Sequence, residues 1–169
     1  MAKVLKTTID PTVIKIPMRS YLVKYLTKLH GNEYKVTKHT FLGLCIVDVL
    51  TKDYQKSPSK VKASYFKCIV PNQLCVIHGY FPKYSHFSLL EKKIDKIFKQ
   101  TMYQYIDINI QSGYNKKREV KKCIEDFLGY YRISEDDFKY ETAYRNYIRY
   151  VEQKSIKMTK KNKPIKTGL

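Results

Sequence analysis

The sequence predicts a mainly α fold with a small β-hairpin (an α+β chain) that closes on a helix-turn-helix-like pair of helices. Three observations predict it. Apolar residues recur at helical spacing in several separate stretches. Only two neighbouring runs, Val61 to Val70 and Leu74 to Phe81, read as strands joined by a turn. The 169 residues are 43% hydrophobic and 14% aromatic, which is enough to build the core of one domain.

Taken in order, Thr12 to Ile16 alternates as a short strand. Pro17 stands where a helix favours its first residue. Beyond it Tyr21, Leu22, Tyr25, Leu26 and Leu29 share one face, with Arg19, Lys24 and Lys28 turned away and Gly31 as the stop. Thr37 or Thr40 caps a second, buried helix through Leu50. Thr51 to Lys60 is a polar connector. Pro71 at the hairpin junction excludes the tight primed turns and predicts a longer loop. Ser88 followed by Glu91 is a capping-box pattern opening a long helix to Ile110, with Phe87, Leu90, Ile94, Ile97, Phe98, Thr101 and Tyr105 as its stripe. Gly113 breaks it.

Lys117 to Tyr131 predicts another helix with Val120, Cys123, Ile124, Phe127 and Leu128 inward. After the four-residue turn Tyr131 to Ser134, a last helix capped by Ser134 runs to about Gln153. Glu135, Asp136 and Asp137 suit the positive end of its dipole. Tyr140, Tyr144, Tyr147, Ile148 and Val151 form its inward arc. Lys154 to Leu169 has six Lys and no acid, and reads as a disordered basic tail. The expected organisation is one compact domain over residues 10–153, a helix-turn-helix-like subregion over 117–153, and the tail over 154–169.

Charge narrows the partner class. The chain holds 33 Lys and Arg against 15 Asp and Glu, a formal +18 at pH 7. Such an excess repels itself in the compact state and attracts polyanions. Nucleic acid is the expected partner, DNA ahead of RNA, with an anionic membrane surface and an acidic protein behind it. Membrane insertion is not expected, because the longest apolar run, Phe41 to Leu50, is about half a bilayer span. Met1 to Asp10 has no apolar core of a signal peptide, so a cytoplasmic setting is expected, in a bacterial or phage-infected cell. Cys45, Cys68, Cys75 and Cys123 show no CxxC spacing and read as reduced core thiols.

Chemistry of catalysis is hard to find in the residues. His30, His39, His78 and His86 lack metal-binding spacing, and there is no glycine-rich phosphate loop. No enzyme activity, metal or cofactor is expected. The last helix is more informative. Thr142, Arg145, Asn146, Arg149 and Gln153 fall together at i, i+3, i+4, i+7 and i+11, and these are side-chain types that pair with base edges or phosphates. An ordinary solvated helix face is the competing reading. Arg118 and Lys121 on the preceding helix, then Lys154, Lys157, Lys160, Lys161 and Lys163 in the tail, extend the candidate interface. A second basic surface is expected on Lys15, Arg19, Lys24, Lys28, Lys35 and Lys38. Tyr65, Tyr80 and Tyr84 offer a stacking platform for single-stranded bases, although core packing explains most of the 16 Tyr.

The segments "IEDFLGYYRISEDDFKYETAYRNYIRY" (Ile124 to Tyr150) and "IKIPMRSYLVKYLTKLHG" (Ile14 to Gly31) resemble stretches of small basic proteins of phages and mobile elements of gut Bacteroidetes. That resemblance covers about a quarter of the chain and rests on no catalytic motif. It implies an element-borne DNA-binding protein. The expectation is a non-enzymatic regulator, replication accessory or architectural factor. Two alternatives stay open: a phage structural or packaged, virion-associated protein that neutralises nucleic acid, and an RNA-binding subunit of a larger complex. Homo-oligomer or larger nucleoprotein assembly is left open as well.

Overall fold

The structure, a computed structural model, describes residues 11–56, 64–110 and 116–161; the side chains of residues 116–118 and 157–161 lie outside that description. The elements are β1 (Thr12–Pro17), α1 (Ser20–His30), β2 (Glu33–Lys35), α2 (Phe41–Val47), β3 (Leu50–Thr51), β4 (Tyr65–Val70), α3 (Asn72–His78), β5 (Phe81–Pro82), α4 (Phe87–Ile110), α5 (Lys116–Tyr130) and α6 (Tyr140–Lys161). The mainly α character with a small β part is as the sequence predicts. Where one domain was expected over residues 10–153, the chain divides into two compact units, 1–98 and 99–169, with the boundary inside α4.

In the first unit, alternation builds a three-stranded sheet of order β1-β4-β2. β1 runs antiparallel to β4, pairing Ile14 with Cys68 and Ile16 with Phe66, and β2 runs parallel to β4 with Tyr34 beside Cys68. All five side chains are buried. The intervening positions form a second, open face. On the covered side, the Tyr21 and Tyr25 rings of α1 lie 5.1 and 5.3 Å from the Phe98 ring. The Tyr21 hydroxyl donates to Asp95 at 2.6 Å. Burial first, and then that carboxylate, push the Tyr21 phenol well above its ordinary range.

The expected hairpin does not form. Residues 72–78 are the helix α3, and β4 finds its partners at β1 and β2 instead. Pro71 carries the helical φ of −59° just before α3, and its carbonyl accepts from the amides of Leu74 and Cys75 at 2.9 and 3.2 Å. Asn72 and Gln73 then open a helix rather than a loop. Gly79 ends it at φ +115°, where a Cβ would come within 2.0 Å of the Thr51 carbonyl, so β3 and β5 close their two-residue ladder over a position open only to glycine. Val61, Lys62 and Ala63 of the expected first arm lie outside the described residues. Pro17 is likewise the last residue of β1, opposite Tyr65, and α1 starts three residues later. The second helix is shorter than expected: the Thr40 hydroxyl caps α2 by accepting from the Gly43 amide at 3.1 Å, and Leu50 belongs to β3.

The second unit holds the rest of α4 with α5 and α6. Its α4 core positions are Met102 and Ile106, both fully buried, while Thr101 is half-buried and Tyr105 is exposed. The expected stripe therefore shifts onto the i, i+4 line from Phe98, which buries two apolar side chains and leaves two hydroxyls near water. α5 ends in a Schellman closure, with Ile133 N–H on the Leu128 carbonyl at 2.9 Å and Arg132 N–H on Gly129 at 3.0 Å. Arg132 holds the left-handed φ of +55° usually given to glycine. The four-residue turn becomes a nine-residue connection, 131–139. Ser134 does not cap α6; its hydroxyl and amide both donate to Asp137, at 2.7 and 2.9 Å. The Glu135 carboxylate instead accepts from the Tyr140 amide at 3.0 and 3.1 Å and opens α6 there. α6 also runs on to Lys161, so residues 154–161 of the expected disordered tail are helical; residues 162–169 lie outside the described residues.

Candidate nucleic-acid interface

The residues of α6 explain how it is oriented. Ala143 and Tyr147 are buried, Tyr140, Tyr144, Ile148 and Tyr150 are half-buried, and Val151 is 37% exposed. Of the expected inward arc Tyr147 is buried, but Tyr140, Tyr144 and Ile148 are only half-buried and Val151 is exposed, so the buried line is rotated toward Ala143. What turns it is Asp107 of α4. This carboxylate accepts from the Tyr147 hydroxyl at 2.9 Å, the Tyr150 hydroxyl at 3.3 Å and the Lys154 ammonium at 2.9 Å. Tyr103 stacks on Tyr150 with ring centroids 4.7 Å apart. Burial pulls the Asp107 pKa up, but hydrogen bonds from Lys154 and Tyr147 and the Lys154 charge outweigh it and hold the carboxyl below its usual value.

Opposite that anchor, Thr142, Arg145, Arg149 and Gln153 are exposed and Asn146 is half-buried, in the one stripe the spacing predicts. Helical register carries the positions of Lys157 and Lys160 onto the same line. From residue 142 to 160 it spans about 27 Å at 1.5 Å per residue. Arg145 is paired to Glu141 one turn back at 3.2 Å, whereas Arg149 has no carboxylate partner among the described residues. Two carboxylates of the acidic run before the helix are held locally, Asp137 by Ser134 and Glu135 by the Tyr140 amide, while the stripe itself carries Arg145 and Arg149.

The other candidates separate. Lys121 is exposed beside Glu125 at 3.7 Å and lies over the Tyr140 ring at 5.9 Å. Arg118 is on the first turns of α5, with its side chain outside the described residues, as are those of Lys157, Lys160 and Lys161; Lys163 is outside altogether. In the first unit Arg19 is an internal tether: its amide donates to Glu91 at 2.8 Å, and its guanidinium lies 3.3 Å from Glu91 and 3.6 Å from Asp95. Lys24 is half-buried and Lys28 exposed on α1. Of the tyrosines proposed for stacking, Tyr80 donates to Asn72 at 2.9 Å and Tyr84 packs edge-on against Phe87, which leaves Tyr65 on the open sheet face. Lys67 was missed; the alternation of β4 places it on that face, and reading β4 against β1 would have found it.

The four cysteines are buried and free, with burial pushing the Cys68 thiol up to about 12. Among the described residues no cluster of His, Cys, Asp and Glu is arranged to hold a metal, and no helix is long and apolar enough to cross a membrane. Comparison with protein-family models, curated proteins and solved structures finds no match.

Proposed function

We propose that this protein binds nucleic acid without catalysing a reaction, DNA in preference to RNA, with the outer stripe of α6 as the principal contact. The observation that carries the reading is the continuous line Thr142, Arg145, Asn146, Arg149 and Gln153, exposed but for the half-buried Asn146 and prolonged by the helical run to Lys161. Its guanidinium and amide groups suit phosphate oxygens and base edges. At 3.4 Å per base-pair step, about 27 Å matches roughly eight steps of duplex. The charge of the chain supports the same class of partner, and the resemblance to small basic proteins of phages and mobile elements favours a regulator, replication accessory or architectural role in such an element.

A second reading, a packaged protein that neutralises nucleic acid of any sequence, draws on how evenly the charge is spread. Residues 1–98 carry 17 Lys and Arg against six Asp and Glu, and residues 99–169 carry 16 against nine, excesses of +11 and +7. Titrating labelled duplexes of different sequence with Arg149→Ala and Asn146→Ala separates the two. Weaker binding by Arg149→Ala on every duplex supports the helix contact. Binding by both variants equal to that of the parent, on all duplexes, leaves only the neutralising role.

A further inference from the structure

The open face of the three-stranded sheet has no role in the reading above, and its composition is unusual for a solvated surface. Register places Lys15 of β1 directly opposite Lys67 of β4, and Val13 opposite Ile69 with Lys35 alongside on β2. Two like charges facing each other across strands destabilise a sheet. Lys67 is relieved by its ion pair with Glu33. Lys15 has turned its ammonium over the ring of Tyr65, 4.8 Å from the centroid. Tyr65 is 45% exposed and Val13 51% exposed, so an aromatic ring screened only by the Lys15 ammonium and an apolar patch lie at the surface.

From this face we infer a binding site for single-stranded nucleic acid, resting on the nucleic-acid reading above but separate from α6. Bases of a single strand have free faces that stack on tyrosine, and its phosphates seek nearby ammonium groups. A base on Tyr65 displaces Lys15 from the ring, and Lys15 then meets the adjoining phosphate. Placed between Lys15 and Lys67, that phosphate competes with Glu33 for the Lys67 ammonium. Val13 and Ile69 cover the apolar part of the next base. A duplex offers its bases only edge-on and leaves Tyr65 without a partner. The +11 excess of residues 1–98 draws either form toward the sheet.

The test titrates the full-length protein with a labelled oligothymidylate of about ten nucleotides, near the size such platforms hold, and in parallel with a labelled duplex. Tyr65→Ala and Lys15→Ser are expected to weaken oligothymidylate binding about tenfold or more while duplex affinity stays at the parent value, and Tyr65→Phe is expected to retain single-strand binding. Because Lys15→Ser removes only an exposed side chain, it decides the matter even if Tyr65→Ala folds poorly. Single-strand binding unchanged in Lys15→Ser and Tyr65→Ala, with duplex binding intact, overturns the sheet site and spares the α6 reading. Absence of binding to both oligonucleotides overturns both.

Discussion

Lys154 donates to the Asp107 carboxylate at 2.9 Å, across 47 residues of sequence. With Tyr147 and Tyr150 on the same carboxylate, it fixes which face of α6 points inward and therefore which face is left for a partner. The first lysine of the expected tail is thus part of the fold. Truncation after Gln153 is expected to lower the melting temperature below that of a chain ending at Lys161. Equal melting temperatures for the two truncations, measured by circular dichroism, would contradict the anchoring role of Lys154.

Asp107→Ala leaves the hydroxyl of the buried Tyr147 without its acceptor and is expected to destabilise by about 1–3 kcal/mol in urea unfolding. The pH dependence has a definite sign. The folded carboxyl titrates below its unfolded value, so its contribution is complete above the ordinary carboxylate range and is lost as pH falls through the lowered folded value. Urea midpoints of the parent should therefore drop toward those of Asp107→Asn in acid. A constant gap between the two down to strongly acidic pH would refute this.

Arg132 sits at φ +55° in the closure of α5, a conformation glycine adopts without strain. Arg132→Gly is expected to leave the fold intact and to raise stability by up to about 1 kcal/mol. A loss of more than that would mean the arginine side chain contributes something its backbone geometry does not reveal.

Two substitutions on α6 test the rotation of the helix. Ala143 is fully buried, so Ala143→Leu overpacks the unit and should destabilise by about 1–3 kcal/mol. Ile148 is half-buried, and Ile148→Ala should fall near the low end of the usual range for aliphatic truncation, about 1–2 kcal/mol. A loss of about 3–5 kcal/mol for Ile148→Ala, with Ala143→Leu tolerated, would restore the arc through Tyr144, Ile148 and Val151.

That rotation shows where the sequence was legible and where it was not. Helices α1, α4 and α5 and strand β1 announce themselves by local periodicity, since each repeats its apolar residues over its own length. On α6 the large side chains mislead: Ala143 is fully buried yet carries almost no hydrophobic signal, while Tyr150 is turned by Asp107, 43 residues away in sequence. The hairpin failed for a related reason. The partners of β4 are β1 and β2, more than 30 residues distant, and local alternation around Leu74 could not compete with the helix start at Pro71. On the candidate interface the local pairs Arg145 with Glu141 and Lys121 with Glu125 follow from i, i+4 spacing. The tether of Arg19 to Glu91 and Asp95 depends on the fold and was invisible.

The most direct test of the central claim is the salt dependence of duplex DNA binding by the parent protein and Arg149→Ala. The account predicts that the logarithm of affinity falls linearly with the logarithm of salt concentration, and that Arg149→Ala binds every duplex more weakly with a slope reduced by about one. An affinity independent of salt, or an Arg149→Ala variant with the affinity and slope of the parent, would contradict it.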